Sequence, residues 1–532
     1  RTGIDVRVCT GGTGKLLGDV ATREEPLCDV FWGGSLTTVR ARQELFEPYI
    51  SINEPMVLEE FKNTEGNLTR FTDMPSVLMV NTRLLGDLTI EGYEDLLNPE
   101  LKGRIAMCSP SSSSSAWEQL INMLYAMGEG EPEEGWDYVE EFIANLDGVL
   151  RKTELIYSDF FSKETGNRIF IKPENLQRTG SFKIRGAYNR IANLTEEERA
   201  RGIIASSAGN HAQGVALAAS KMGIKSTIVM PLVTPLIKVD STKSYGADVV
   251  LHGNIYDEAY SKAVELSEEY GYTFVHPYND YDVICGQGTI ALEILEEMHD
   301  IDQILVPVGG GVLISGIAYT AKHIRPSVKV YGVQMTGAPS MYNSIHDGKI
   351  ETLDTVQTVA DGIAVKRPGD NTFEIVKKYV DDIALVSEDE VSSAILALIE
   401  KQKMIAEGAG AASVAAVMFN KFDLKGKRVV CIVSGGNIDV TSLSRVIDRG
   451  LMNSGRSASL LIELIDKPGQ LKEISSIIAD CGGNVTGVHY EKGNTESING
   501  CFLRIEMETR DNNHVKTIKN ALREAGFRTT KG

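Results

Sequence analysis

A long alternation of apolar runs and helix-patterned segments fills the middle of the chain and most constrains its fold. Gly202–Ser206 leads into a helical pattern over His211–Met222, Lys225–Met230 into Leu236–Tyr245, and Asp248–Leu251 into Tyr256–Tyr270. Further on, Ile304–Val308 passes through glycines into Leu313–Ile324, and Val328–Val333 follows. Such βα repetition predicts an α/β fold with a doubly wound, mostly parallel sheet covered on both faces. Ligands of these sheets bind outside the carboxyl ends of the strands. Residues just after strands are therefore the first candidates for function.

Four motifs stand there. The first is Gln177–Gly186, where Lys183 sits between a Thr-Gly-Ser turn and a predicted helix start, after the strand-like Arg168–Lys172. A lysine in such a place can serve as a Schiff-base amine, although a lone lysine at a helix start is more often a surface charge. The second, Ser207-Ala-Gly-Asn-His211, offers free amides for a carboxylate and an Asn210 side chain able to donate to a phenolate oxygen. An ordinary capped loop would read the same way. The third, Gly309-Gly-Gly-Val312, can wrap a phosphate with backbone N–H groups. The fourth is Ser434-Gly-Gly-Asn437, after the apolar run Val429–Val433. The last two taken singly are only turns. Together, in order and at matching strand ends, the four suit an aldehyde cofactor with a phosphate tail, which is pyridoxal 5'-phosphate.

Whole-chain properties narrow the classes. A formal charge of −19 argues against nucleic acid or an acidic membrane surface as partner. Seven cysteines without a CxxC pair argue against a zinc site or disulfide framework and fit free thiols in a reducing cytoplasm. No apolar run is long enough to span a bilayer. A length of 532 residues implies several domains.

Residues 151–453 resemble a fold-type II pyridoxal-phosphate enzyme, of the threonine ammonia-lyase (threonine dehydratase) family. The matching stretches are Glu174–Ala187, Ser207–Gly214, Pro307–Gly311, Ala360–Gly362, Glu407–Gly410 and Ser434–Asn437. The resemblance implies that Lys183 carries the cofactor as a Schiff base and acts as catalytic base, with Phe182 packed beside the ring. It implies that Asn210 contacts the ring oxygen, that Gly309, Gly310, Gly311 and Val312 hold the phosphate, and that Ser434 faces the pyridine nitrogen. Ser207, Ala208, Gly209 and His211 would line the substrate-carboxylate site. The implied reaction is β-elimination from threonine or serine, giving a 2-oxo acid and ammonium in the cytoplasm. Serine racemases are similar around the lysine but carry a second serine where this chain has Ala208, so racemisation is disfavoured. Their divalent-ion positions correspond to Gln334 and Ser340, so no metal is expected. Val312 replaces a glycine of most relatives, and a slightly altered phosphate cradle is expected from it.

Residues 458–532 read as βαββα with a short last strand near Phe527–Thr530, which suggests a ferredoxin-like sandwich. Ser454–Ser457 is the expected hinge. Asp466–Leu471 and Asn484 resemble an ACT domain, which implies an amino-acid effector, such as isoleucine or valine, and edge-to-edge pairing in a homo-oligomer. A structural tail that only aids oligomerisation is the plainer reading.

Residues 1–150 read as α/β. Strand-like Ile4–Val8, Val30–Trp32, Val77–Asn81 and Arg104–Cys108 alternate with helical Ala116–Met127 and Glu134–Asn145. This segment also holds Thr10–Gly14 and the Ser111–Ser115 run, readable as a linker or as a helix start that binds an anion. Phe31–Gly34, Lys102–Ile105 and the serine run resemble an iron-type extracytoplasmic solute-binding protein. The likeness stops at Asn145–Gly148, and Val149–Leu155 already resembles the lyase without its usual N-terminal helix. A fused fragment is the expectation. The rival from another class is a ligand-sensing or transport receptor built from the two ends.

Overall fold

The computed structural model describes residues 150–491 and 500–531, and before them chiefly 42–51, 54–59, 88–101 and 114–139. The chain forms two compact units, Arg1–Gly148 and Val149–Gly532.

In the first unit the helix α1, Ser114–Met127, begins inside the serine run. Leu96, Met123, Leu124, Tyr138 and Val139 form a small core there. Beyond the turn Pro132–Gly135, residues 136–139 are helical. The rest of that predicted helix, Ile4–Val8, Val30–Trp32, Thr10–Gly14, Phe31–Gly34 and Asn145–Gly148 lie outside the described residues. Of the predicted strands 77–81 and 104–108, only Leu78, Val80, Ile105 and Met107 are described, and they belong to no regular element.

The second unit contains three sheets where the sequence suggested one continuous winding before the C-terminal segment. The largest has the order β1-β2-β10-β7-β8-β9. Its strands are β1 Ile156–Tyr157, β2 Arg168–Lys172, β7 Gln303–Pro307, β8 Lys329–Met335, β9 Asp382–Val386 and β10 Arg428–Ile432. All neighbours are parallel except β1 on β2. The second sheet, β5-β4-β3-β6, is wholly parallel. It comprises β3 Ile203–Ser206, β4 Ser226–Met230, β5 Asp248–Leu251 and β6 Thr273–Phe274. It is inserted between β2 and β7 of the first.

Burial on two faces accounts for the apolar runs. Strand β10 sends Val429 and Cys431 into one core and Val430 and Ile432 into the other. In the smaller sheet Ile203 and Ala205 face one core and Ile204 its opposite. The helices needed here are α2 Lys183–Ala192, α3 Asn210–Lys221, α4 Tyr281–Glu297, α5 Val312–Ile324 and α6 Gly408–Met418. Helix α2 meets α4 at Gly186 and Gly286, where a Cβ on Gly286 would lie 2.5 Å from the Arg185 carbonyl oxygen. Helix α4 meets α5 at Gly288 and Gly316, where a Cβ on Gly316 would lie 2.3 Å from the Ile284 carbonyl oxygen. The three helices therefore touch backbone to backbone.

A buried set of charges ties the same region together. Arg185 is 1% exposed, and its guanidinium donates to Glu174 at 2.7 and 2.8 Å and to Glu293 at 2.6 and 2.9 Å. Lys172 pairs with Glu293 at 2.5 Å and donates to the Thr153 carbonyl oxygen. The Thr153 hydroxyl donates to Glu174 at 2.5 Å, and Leu155 N–H donates to Glu297 at 2.8 Å. Residues 151–155 are thus fastened to the rest of the second unit.

The C-terminal portion is antiparallel, with the order β12-β13-β11-β14. It comprises β11 Ser457–Ile465, α8 Gln470–Asp480, β12 Asn484–Glu491, β13 Gly500–Glu508, α9 Asn512–Glu524 and β14 Arg528–Lys531. The helix α7, Val440–Asn453, leads into it across 454–456. Ile474 and Ile478 of α8 and Ile518 and Leu522 of α9 share a core with Leu460, Leu503 and Ile505 of the sheet. Cys285, Cys431, Cys481 and Cys501 are free thiols. Among the described residues no helix is long and apolar enough to cross a membrane.

Replacing Glu174 by alanine would leave the buried Arg185 cation without two of its hydrogen bonds. The expected loss is about 3–5 kcal/mol, read as a fall in the unfolding midpoint of the second unit. An unchanged midpoint would show that the buried charges do not hold this region.

Candidate active site

The parallel register of β2, β10 and β7 places three strand ends side by side. The lysine turn follows β2, Ser434–Asn437 follows β10 and Gly309–Gly311 follows β7. The first two are stitched together directly. Phe182 N–H donates to the Ser434 carbonyl oxygen at 3.1 Å, Gly436 N–H to that of Gly180 at 2.9 Å, and Ser181 and Gly435 form an antiparallel bridge.

Lys183 is the first residue of α2, with Phe182 as N-cap. Its Nζ lies 5.3 Å from the Phe182 ring centroid and donates to the Pro277 carbonyl oxygen at 2.9 Å. Burial of the amine lowers it to about 8, against the opposing pull of Glu407. Near neutral pH such an amine is neutral in a far larger fraction than an ordinary lysine, as a nucleophile or base requires.

The next residue after Pro277 connects the lysine to the glycine loop. The Tyr278 ring lies against Gly310, where a Cβ would come within 2.4 Å of it. A Cβ on Gly309 would lie 3.0 Å from Ile363 Cα, and one on Gly311 2.7 Å from the Met341 methyl. The loop carbonyl of Gly310 is taken by Thr372 Oγ1 at 2.5 Å. Among the described residues no carbonyl takes the N–H groups of Gly309, Gly310, Gly311 or Val312. Those four donors stand at the positive end of a 13-residue helix. They suit a phosphate, and the chain's residues fit pyridoxal phosphate here. The positive φ falls on Gly311, at +98°, while Val312 opens α5 and is buried at 4%. A valine at the first helical position needs no left-handed backbone, so the expected alteration of the cradle has no conformational basis.

Ser207–Gly209 follow β3 in the smaller sheet, and Gly209 caps α3. Gly209 N–H donates to Ser207 Oγ at 3.2 Å. Asn210 sits between Glu407 Oε1, to which its Nδ2 donates at 2.7 Å, and Asn437 Nδ2, which donates to its Oδ1 at 2.8 Å. His211 is turned into the core. Its Nε2 lies 2.9 Å from the Val275 carbonyl oxygen, and its Nδ1 is buried without a partner. Burial first and the Lys183 charge second lower it to about 3, and the same two causes lower His276 to about 4. Both rings are neutral, so His211 can offer an anion its backbone N–H but no imidazolium.

Ser434 is 3% exposed. Ser181 Oγ beside it is buried and without a partner, a polar group that a ligand would satisfy. Gln334 and Ser340 are committed elsewhere: Gln334 Oε1 accepts from Tyr342 N–H at 2.9 Å, and Ser340 Oγ donates to the Val365 carbonyl oxygen at 2.7 Å. Lys183, Phe182, Asn210 and Ser434 therefore converge, and the glycine loop joins them through 277–278. Sequence reasoning assigned no role to Glu407, Asn437 or Tyr278. Glu407 and Asn437 lay inside matched stretches, but only Asn437 follows a strand, whereas Glu407 comes after the helical stretch Leu398–Gln402.

Known proteins resemble this chain in two parts. A family model described as pyridoxal-phosphate dependent enzyme matches residues 146–435. Another, described as bacterial extracellular solute-binding protein, matches residues 26–169. An L-threonine ammonia-lyase of Thermotoga maritima is 51% identical over 390 residues, covering 73% of this chain and 97% of that protein. One of Geobacter sulfurreducens is 47% identical over 391 residues with the same coverage. The structure of the processed form of threonine deaminase isoform 2 from Solanum lycopersicum is similar with a TM-score of 0.55 at 38% identity, over 65% of this chain and 97% of that one. Maize serine racemase is similar with a TM-score of 0.54 at 33% identity, over 63% and 97%.

In cofactor-free protein an amine-reactive probe should label Lys183 with a half-rate pH near 8, while exposed lysines respond near their ordinary value of about 10.4. Peptide mapping across a pH series reads this. A Lys183 midpoint among the bulk lysines would contradict the site's electrostatics.

Proposed function

We propose that this chain, which belongs to the pyridoxal-phosphate dependent enzymes and within them to the threonine ammonia-lyases, deaminates L-threonine to 2-oxobutanoate and ammonium, and L-serine to pyruvate. The observation that carries the reading is a lysine with a lowered amine, joined through 277–278 to a loop whose four N–H groups have no carbonyl partner. Bound there, pyridoxal phosphate supplies an electron sink for negative charge that develops at the substrate Cα.

The chain's own residues do the rest. Lys183 Nζ would hold the cofactor carbonyl and, when free, would take the Cα proton. Gly309, Gly310, Gly311 and Val312 hold the phosphate through their N–H groups. Phe182 would pack beside the ring, and the Asn210 amide would donate to its oxygen. The Ser434 hydroxyl would meet the ring nitrogen without the charge by which an aspartate keeps it protonated, which would favour loss of the β-hydroxyl over return of the proton. The loop of Ser207, Ala208, Gly209 and His211 would receive the substrate carboxylate, with Ser207 N–H already held by the Val229 carbonyl oxygen at 3.2 Å and Gly209 N–H by Ser207 Oγ. Cα loses its proton and Cβ its hydroxyl, together one water. The released enamine then takes up one water to yield the 2-oxo acid and ammonium. Ala208 has no hydroxyl to return a proton from the opposite face, which separates this chain from a racemase.

We further propose that 151–453 is the catalytic domain and that 458–532 is an ACT module, which senses a branched-chain amino acid and pairs with a second copy. Residues 1–150 are read as a fused solute-binding fragment. The cytoplasm suits a lyase with these free thiols.

Release of 2-oxobutanoate from threonine beside pyruvate from serine tests the activity. Lys183→Ala should lower both by about 10³-fold or more, and residual serine should remain the L form. Release unaffected by Lys183→Ala would refute the assignment, and accumulation of D-serine would favour the racemase. For the module, isoleucine or valine should change the threonine dependence of the rate. An indifferent rate with every branched-chain amino acid would leave 458–532 a structural tail.

A further inference from the structure

Glu407 is a buried carboxyl that the reaction above does not use. It precedes α6 as its N-cap and is 5% exposed. It accepts one hydrogen of the Asn210 amide at 2.7 Å. From the other side Asn437 Nδ2 donates to Asn210 Oδ1 at 2.8 Å and to the Thr179 carbonyl oxygen at 2.7 Å. Two glycines make room for this arrangement. A Cβ on Gly435 would come within 2.4 Å of Glu407 Oε1, and one on Gly180 within 2.3 Å of Asn437 Oδ1.

We propose that Glu407 and Asn437 are positioning residues that fix the flip of the Asn210 amide, so that its second N–H is presented to the ring oxygen of the cofactor. The inference rests on the functional reading of the site given above. An asparagine amide carries a donor end and an acceptor end of nearly equal size. Flipped, Asn210 would turn its carbonyl oxygen on an anionic ring oxygen, losing a charge-assisted hydrogen bond and adding repulsion. A carboxyl on one side and an amide donor held by the Thr179 carbonyl on the other leave one orientation satisfied.

The charged groups facing Glu407 are Lys183 on α2, Asp361 in the turn Asp361–Ile363 and Lys238 in the helix Leu236–Ser244. Burial first and the Asp361 charge second push its carboxyl up to about 7. Protonation leaves the carboxyl an acceptor oxygen, so the clamp persists in both states. Glutamine keeps that acceptor and leucine removes it.

Titration of the cofactor-free protein with pyridoxal phosphate, followed by visible absorbance, tests the clamp in a double-mutant cycle. Glu407→Gln should bind the cofactor within about threefold of wild type, and Glu407→Leu about tenfold more weakly with a displaced absorbance band. In an Asn210→Ala background Glu407→Leu should cost nothing further. Full additivity of the two changes, or a Glu407→Leu protein with wild-type affinity and band, overturns the clamp. If Glu407→Leu does not fold, Asn437→Ala in the same cycle decides between the same two outcomes. A wild-type chain that takes up no cofactor overturns the functional reading and this inference with it. A coloured wild type with an additive cycle overturns the inference alone.

Discussion

Arg185, two residues beyond the site lysine, is the interaction on which the second unit depends. A guanidinium with 1% exposure is tolerable only because Glu174 and Glu293 surround it. Burial opposes the charge of Glu293, yet Arg185 and Lys172 hold its carboxyl below the usual range. The set draws together the end of β2, the turn after it, the first turn of α2 and the middle of α4. It also captures Thr153, so the entering chain is fastened at the same point. Because an uncompensated charge inside would be so costly, α2 has little freedom to slide. Lys183 inherits that fixity.

The glycine contacts extend it. Helix α2 presses on α4 through Gly186 and Gly286, and α4 on α5 through Gly288 and Gly316. Added side chains would force backbone apart in a densely packed interior. The helix that bears the lysine and the helix that opens at the glycine loop are thus spaced through a common neighbour. Cradle and amine hold their separation by contact between main chains, which side-chain rotation does not loosen.

Much of this could be read in advance. The fully buried strands declared themselves as apolar runs, and the loops that need close backbone approach declared themselves as glycines. Asn210 and Ser434 were legible because each lies just after a strand, and Lys183 because a Thr-Gly-Ser turn sets it at a helix start. The division into two sheets was not, since β1 and β6 have two residues each and carry no pattern. Glu407 escaped because its partner Asn210 is 197 positions away and burial, which no local pattern reveals, is what makes its carboxyl unusual. His211 was read as part of the carboxylate loop, and its ring is held by the Val275 carbonyl. In 1–150, where the described stretches are short, the sequence resemblance remains more informative than the geometry.

Strand β10 lies between β2 and β7 in space but is the last of the three in the chain. Its position has a consequence in time. During synthesis β2 leaves the ribosome with no central neighbour to pair with, and the inserted sheet, β7, β8 and β9 all follow before Arg428 is made. At 5–20 residues per second that delay is on the order of tens of seconds. Until it ends, Ser434 and Asn437 do not exist to meet the lysine turn. The edges of β2 and β7 that receive β10 therefore stay uncovered until late in synthesis.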